Sequence, residues 1–97
     1  MLQNELVGTW LADPNDLETQ QLYGSGASIE FKPNGDLIYN INEDGRLQVI
    51  FMTYEIVGNQ LITNQPSMPN KETTVFKLNG NSLELNYEGA ISLFIRV

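Results

Sequence analysis

Between Ser28 and Thr63 nearly every residue is either strand-like or turn-forming, and this limits the possible folds more than any other feature of the chain. Ser28 to Lys32 alternates and Pro33-Asn34-Gly35-Asp36 turns it. Leu37 to Ile41 follows, Asn42 to Gly45 turns again, and Arg46 to Val57 returns before Gly58-Asn59 leads into Gln60 to Thr63. Asn-Gly, Asp-Gly and Gly-Asn between alternating apolar residues supply the positive φ that tight hairpin turns require. The stretch predicts an antiparallel meander. Ile29 and Phe31 share one face, which Leu37, Tyr39 and Ile41 continue, while Glu30 and Lys32 face the other way.

The flanks extend this pattern. Leu6 to Leu11 reads as a first strand, with Gly8 marking a bulge or a close backbone approach. Asp13-Pro14 reads as a helix start, since Asp caps well and Pro suits the first helical position, and Asn15 to Tyr23 then gives one or two polar turns. Ala12 to Gly26 is the longest stretch without strand character. After a Pro-containing loop, Asn64 to Asn70, the strand Thr73 to Leu78 is turned by Asn79-Gly80-Asn81, and Leu83, Leu85 and Tyr87 point inward against Glu84, Asn86 and Glu88. Gly89-Ala90 turns into the last strand. Hydrophobicity places Ile91, Leu93, Ile95 and Val97 inside, with Ser92, Phe94 and Arg96 opposite and Phe94 as an apolar exception on the outer face. The long strand is ambiguous: Leu47, Val49 and Phe51 alternate in one phase and Ile50, Met52, Tyr54 and Ile56 in the other. A bulge near Ile50 to Met52, or burial on both faces, is expected.

About eight short strands joined mostly by tight turns predict an all-β, up-and-down antiparallel barrel, because a Greek key would need a long return connection. Closure would pair the first strand with the last and remove the edges. At 97 residues, the expectation is one domain over residues 1–97 with one core.

Charge and missing residue types narrow the function. The chain carries 12 acidic and 5 basic residues, a net charge of −7. No Lys/Arg cluster occurs, which argues against nucleic acid and anionic membrane as partners, whereas a basic protein would be attracted. With no Cys and no His, disulfides, thiolate catalysis and the usual ligands of zinc, copper or haem are gone. No enzyme, metal or cofactor is therefore expected. Asp13, Asn15, Asp16 and Glu18 lack calcium-loop spacing and read as a cap in a solvated loop. Gly24-Ser25-Gly26 precedes a strand, not a helix, so it reads as a turn and not a phosphate cradle. Glu55 reads as outward on a curved strand; pointing inward, its carboxyl would have a raised pKa. Met1 to Leu6 has no signal-peptide pattern, so a cytoplasmic protein is expected.

Leu6-Val7-Gly8-Thr9-Trp10 resembles the Gly-x-Trp signature on the first strand of lipocalins and related calycin barrels, and Ile91 to Val97 resembles their last strand, with its Arg near the end. The resemblance spans nearly the whole chain and is nearest to minimal lipocalin-like domains of bacteria. It implies that Trp10 closes one barrel end with Arg96 packed across it, Gly8 belonging to the same motif. Typical lipocalins are longer and carry a helix after the barrel, whereas this sequence reads only as far as the last strand, and no pocket motif of the family matches.

Two functional expectations follow. The first is a non-catalytic binding module that takes a small apolar or amphipathic ligand in the mouth opposite Trp10 and Arg96. Tyr23, Tyr39, Met52 and Tyr54 would line it, with the Ala12 to Gly26 loop as a lid hinged at Gly24 and Gly26. The second is a small acidic interaction or inhibitor-type protein with a filled barrel, either monomer or homodimer.

Overall fold

The computed structural model describes residues 5–23, 26–43, 45–65 and 71–97, with the backbone alone at 22, 23, 42 and 43. The chain forms β1 (Gly8–Ala12), α1 (Leu17–Tyr23), β2 (Ser28–Phe31), β3 (Asp36–Glu43), β4 (Arg46–Val57), β5 (Gln60–Asn64), β6 (Glu72–Asn79), β7 (Ser82–Tyr87) and β8 (Ala90–Arg96). Each strand pairs antiparallel with the next, and β1 pairs with β8, so the sheet is a closed up-and-down barrel. None of its helices is long and apolar enough to cross a membrane, among the described residues.

Turn length decides which residues face inward. Residues directly opposite one another in an antiparallel pair point to the same side of the sheet. The inner set starts from Trp10 and Ala12 on β1 and passes through register pairs: Trp10 opposes Ile29, Ile29 opposes Tyr39, and Leu37 opposes Met52. Further round, Tyr54 opposes Thr63, Leu61 opposes Thr74, Phe76 opposes Leu85 and Leu83 opposes Phe94. The buried core follows this set: Trp10, Ala12, Ile29, Phe31, Leu37, Tyr54, Leu61, Leu83, Leu85 and Phe94, joined by Leu6 and Ala27.

Two expectations about face are corrected by this parity. In β8 the inner residues are Ser92 and Phe94, both buried, while Ile91, Ile95 and Val97 are exposed. The cause is a two-residue turn: Glu88 and Gly89 both have positive φ, of 51° and 90°, as a type I′ turn demands, and Tyr87 opposes Ala90. The turn lies one residue earlier than Gly89-Ala90. An even-length turn forces odd inner residues on β7 to face even ones on β8. In β4 neither a bulge nor two-sided burial occurs. The register runs unbroken from Glu43 opposite Arg46 to Asp36 opposite Thr53, so Ile50, Met52 and Tyr54 face inward and Leu47, Val49 and Phe51 outward.

Helix α1 starts later than Asp13-Pro14 suggests. Asp13 instead makes a turn, its Oδ1 accepting from the Asn15 N–H at 2.9 Å and its carbonyl from the Asp16 N–H at 3.2 Å. Asp16 is the cap: its Oδ2 accepts both the Thr19 N–H, at 3.3 Å, and the Thr19 hydroxyl. Thr19 in turn accepts the Leu93 N–H at 2.7 Å, and the Leu93 carbonyl accepts the Asp13 N–H at 2.9 Å. A helix side chain thus takes the place of a strand partner for β8. Thr19 is fully buried, so Thr19→Val, nearly isosteric, strands the Leu93 N–H and leaves Asp16 Oδ2 with the residue-19 backbone N–H alone. A loss of about 1–3 kcal/mol in urea unfolding is expected; an unchanged midpoint would mean water replaces the hydroxyl without cost.

Candidate functional site

The two barrel ends are built differently. At the end where β1 begins, Arg96 reaches back over the strand start: its Nη1 donates to the Val7 carbonyl at 3.1 Å and its Nη2 to the Glu5 carbonyl at 2.7 Å. The guanidinium carbon stands 4.2 Å from the Trp10 ring centroid, a cation–π stack, and the indole Nε1–H donates to the Leu6 carbonyl at 2.9 Å. Gly8 has φ +132°, and a Cβ there would lie 3.0 Å from Arg96 Nη1, so the motif glycine makes room for the arginine. The expected pairing of Trp10 with Arg96 is present. Arg96→Lys keeps the charge but loses the fork that bridges two carbonyls. It is expected to cost about 1.5–3 kcal/mol, read as a lowered unfolding midpoint, whereas equal stability would make the stack incidental.

At the opposite end, where β1 finishes and β2 starts, α1 lies against β8, β1 and β3. On the inner wall Tyr39, Met52, Phe76 and Leu78 are half-buried and pack on the core, Met52 opposite Leu37 beside the β2–β3 turn and Leu78 beside the β6–β7 turn, both toward the Arg96 end. Tyr54 is the next inner residue of β4 after Met52. Its hydroxyl donates to the Lys32 carbonyl at 2.7 Å, its N–H donates to the Gly35 carbonyl at 2.9 Å, and its ring meets Phe31 edge-on at 5.1 Å. This places Tyr54 at the β2–β3 turn, the Arg96 end, where it holds the barrel closed. The Tyr23 side chain and the Gly24-Ser25 hinge lie outside the described residues; Gly26 has φ +79°. The expected lining residues are therefore not one cluster at the α1 end: Tyr39 stands on the inner face of β3, whereas Met52 and Tyr54 follow one another on the inner face of β4 toward the Arg96 end.

Elsewhere the chemistry is structural or solvated. Glu55 points outward, opposite Ile62, with a carboxylate oxygen 3.8 Å from Lys71 Nζ; both side chains are exposed, so the pair adds little. Two depressions flank it, one of about 240 Å³ beside Pro33, Gly35 and Ile56, the other of about 50 Å³ beside Thr53, Asn64 and Lys71. The carboxylates of Glu72, first, and Glu88 raise the pKa of exposed Tyr87 above its ordinary value, so at neutral pH it is a neutral phenol. No group of three or more potential metal ligands occurs among the described residues.

The feature that hydrophobic alternation alone failed to assign is on the outside. Leu47, Val49 and Phe51 stand on the outer face of β4 with relative exposures of 69%, 44% and 64%. The parity of the β3–β4 turn was the signal that could have placed them there. No family model matches the chain, and no curated protein matches it significantly.

Proposed function

We propose that the chain is a lipocalin-like barrel whose interior serves stability and whose outer β3–β4 wall serves contact, a non-catalytic interaction module. One observation carries this reading: Leu47, Val49 and Phe51 are exposed side by side on one face of β4, while Trp10, Phe31, Phe94 and the core leucines occupy the inside. Scattered surface apolar residues are ordinary, but three in alternation on one strand make a continuous stripe. The calycin part of the proposal is supported by the closed eight-stranded barrel and by the Gly8, Trp10 and Arg96 arrangement.

A second reading has one observation in its favour. Tyr39, Met52, Phe76 and Leu78 are only partly buried although they pack on the core, so a small apolar ligand could complete their burial inside the barrel. A thermal-shift panel of fatty acids, retinoids and small aromatics separates the two readings. The contact reading expects no shift. A saturable rise in melting temperature that disappears in Met52→Ala but survives Phe51→Ser would overturn it in favour of the ligand.

A further inference from the structure

We infer that the occupant of the β4 wall is a second copy of this chain, paired edge to edge with β4 in an antiparallel, two-fold arrangement centred on Val49. The inference rests on the contact reading and names its partner.

Beside the exposed stripe, the described strands leave one edge of β4 unpaired. β4 is matched to β3 from Arg46 to Thr53, but to β5 only from Thr53 to Val57. Among the described residues, no strand pairs with the other side of Arg46 to Met52. Half of the N–H and C=O groups of such a segment point away from β3 and template another strand. Proteins usually blunt exposed edges with charge, proline or a bulge. Leu47 to Met52 contains no charged residue, proline or glycine, and its register has no bulge.

Symmetry selects the occupant. Edge pairing of two identical strands needs a two-fold axis perpendicular to the sheet, which puts residue i opposite its mate so that their numbers sum to a constant. The open edge from Arg46 to Met52 has its midpoint at Val49, and so does the triplet Leu47, Val49, Phe51. With Val49 opposite Val49 of the copy, Leu47 meets Phe51 on both sides of the axis and all six apolar side chains lie on one face. A two-residue shift either way opposes Leu47 to Val49, or Phe51 to Val49, and drives one end into the Asn64 pairing or off the hairpin tip. A heterologous peptide has no reason to share that midpoint. The paired segment carries no carboxylate, so two chains of charge −7 meet where neither presents an acid. Seven residues a side is small beside a standard interface of roughly 1,600 Å², which makes the dimer weak, dissociating in the range of about 100 μM.

Sedimentation equilibrium and cysteine cross-linking test this together. The wild-type mass is expected to rise toward twice the monomer with concentration, and more steeply at high salt, because screening removes the repulsion between the acidic bodies. Val49→Lys sets two ammonium groups face to face on the axis, and is expected to stay monomeric with an unchanged melting temperature. The chain has no cysteine, so Val49→Cys is a single probe, and Val75→Cys, comparably exposed on β6, is its control. Val49→Cys is expected to form the disulfide-linked dimer at least about tenfold faster, since opposed residues bring Cβ atoms to about 4.5–5.5 Å. A wild type that stays monomeric to about 1 mM, a dimer indifferent to Val49→Lys, or equal cross-linking rates would overturn the inference. Should Val49→Lys fail to fold, the cysteine pair decides alone. None of these outcomes touches the contact reading itself, which the ligand panel tests separately.

Discussion

Trp10→Ala is expected to lower the melting temperature by at least about 12 °C. The indole is fully buried. Truncating a buried Trp costs about 3–5 kcal/mol through lost transfer free energy and the cavity left behind, and small domains have only about 5–15 kcal/mol in total. Here the loss spreads, because the indole also carries the Arg96 stack and anchors the Leu6 carbonyl. Trp10→Phe keeps a ring face for Arg96 and loses the N–H, so it should fall between wild type and alanine. Because Trp10 is the only tryptophan, its fluorescence reports on this one place. A blue-shifted, poorly quenched native emission is expected. A drop of less than about 3 °C in Trp10→Ala would mean that this end is held by something other than the Trp10–Arg96 pair.

Phe94→Ala is expected to cost about 3–5 kcal/mol, while Ile95→Ala, one residue on, should stay within about 1 kcal/mol. The contrast follows from exposures of 1% and 36%. It tests the parity of β8 directly, since a strand packed in the opposite phase would reverse the order. Urea denaturation of the two variants side by side is sufficient, because the difference between them exceeds the error of extrapolation.

Much of the fold was legible in the chain before its coordinates. The turn dipeptides located the hairpins, and their even spacing led to an up-and-down barrel. The Gly8-x-Trp10 and Arg96 pattern led to one closed end. The two errors of face, in β8 and β4, share one physical origin. β8 and the Val97 that follows it have four aliphatic residues in one phase against a single Phe in the other, so a reading that counts hydrophobic residues puts Ile91, Leu93, Ile95 and Val97 inside. The type I′ turn at Glu88-Gly89 fixes parity whatever the composition, and it gives the interior to Phe94. The same rule settles β4, where two apolar phases compete and the β3–β4 register sends Leu47, Val49 and Phe51 outward. Tyr54 went astray for a different reason: the hydroxyl's acceptor, the Lys32 carbonyl, is 22 residues away, and alternation within a strand carries no information about which end of the barrel a residue occupies. The start of α1 moved because both Asp13 and Asp16 are competent caps, and only the Leu93 contact of Thr19 favours the second.

The bond between Thr19 and Leu93 joins residues 74 apart, and β1 finds its second neighbour only in β8. During synthesis, therefore, every hairpin from β1 to β7 can zip as soon as it leaves the ribosome, but the second edge of β1 and the Thr19 hydroxyl of α1 must wait for the last strand to emerge. A nascent chain stopped short of Leu93 holds an open, curled sheet with two unsatisfied edges, and closure arrives as one late, cooperative step. Such long-range closure is slow, on the millisecond-to-second scale of barrels rich in non-local pairings. During that interval the exposed β4 segment is the stretch from which neighbouring chains on a polysome are most easily entangled.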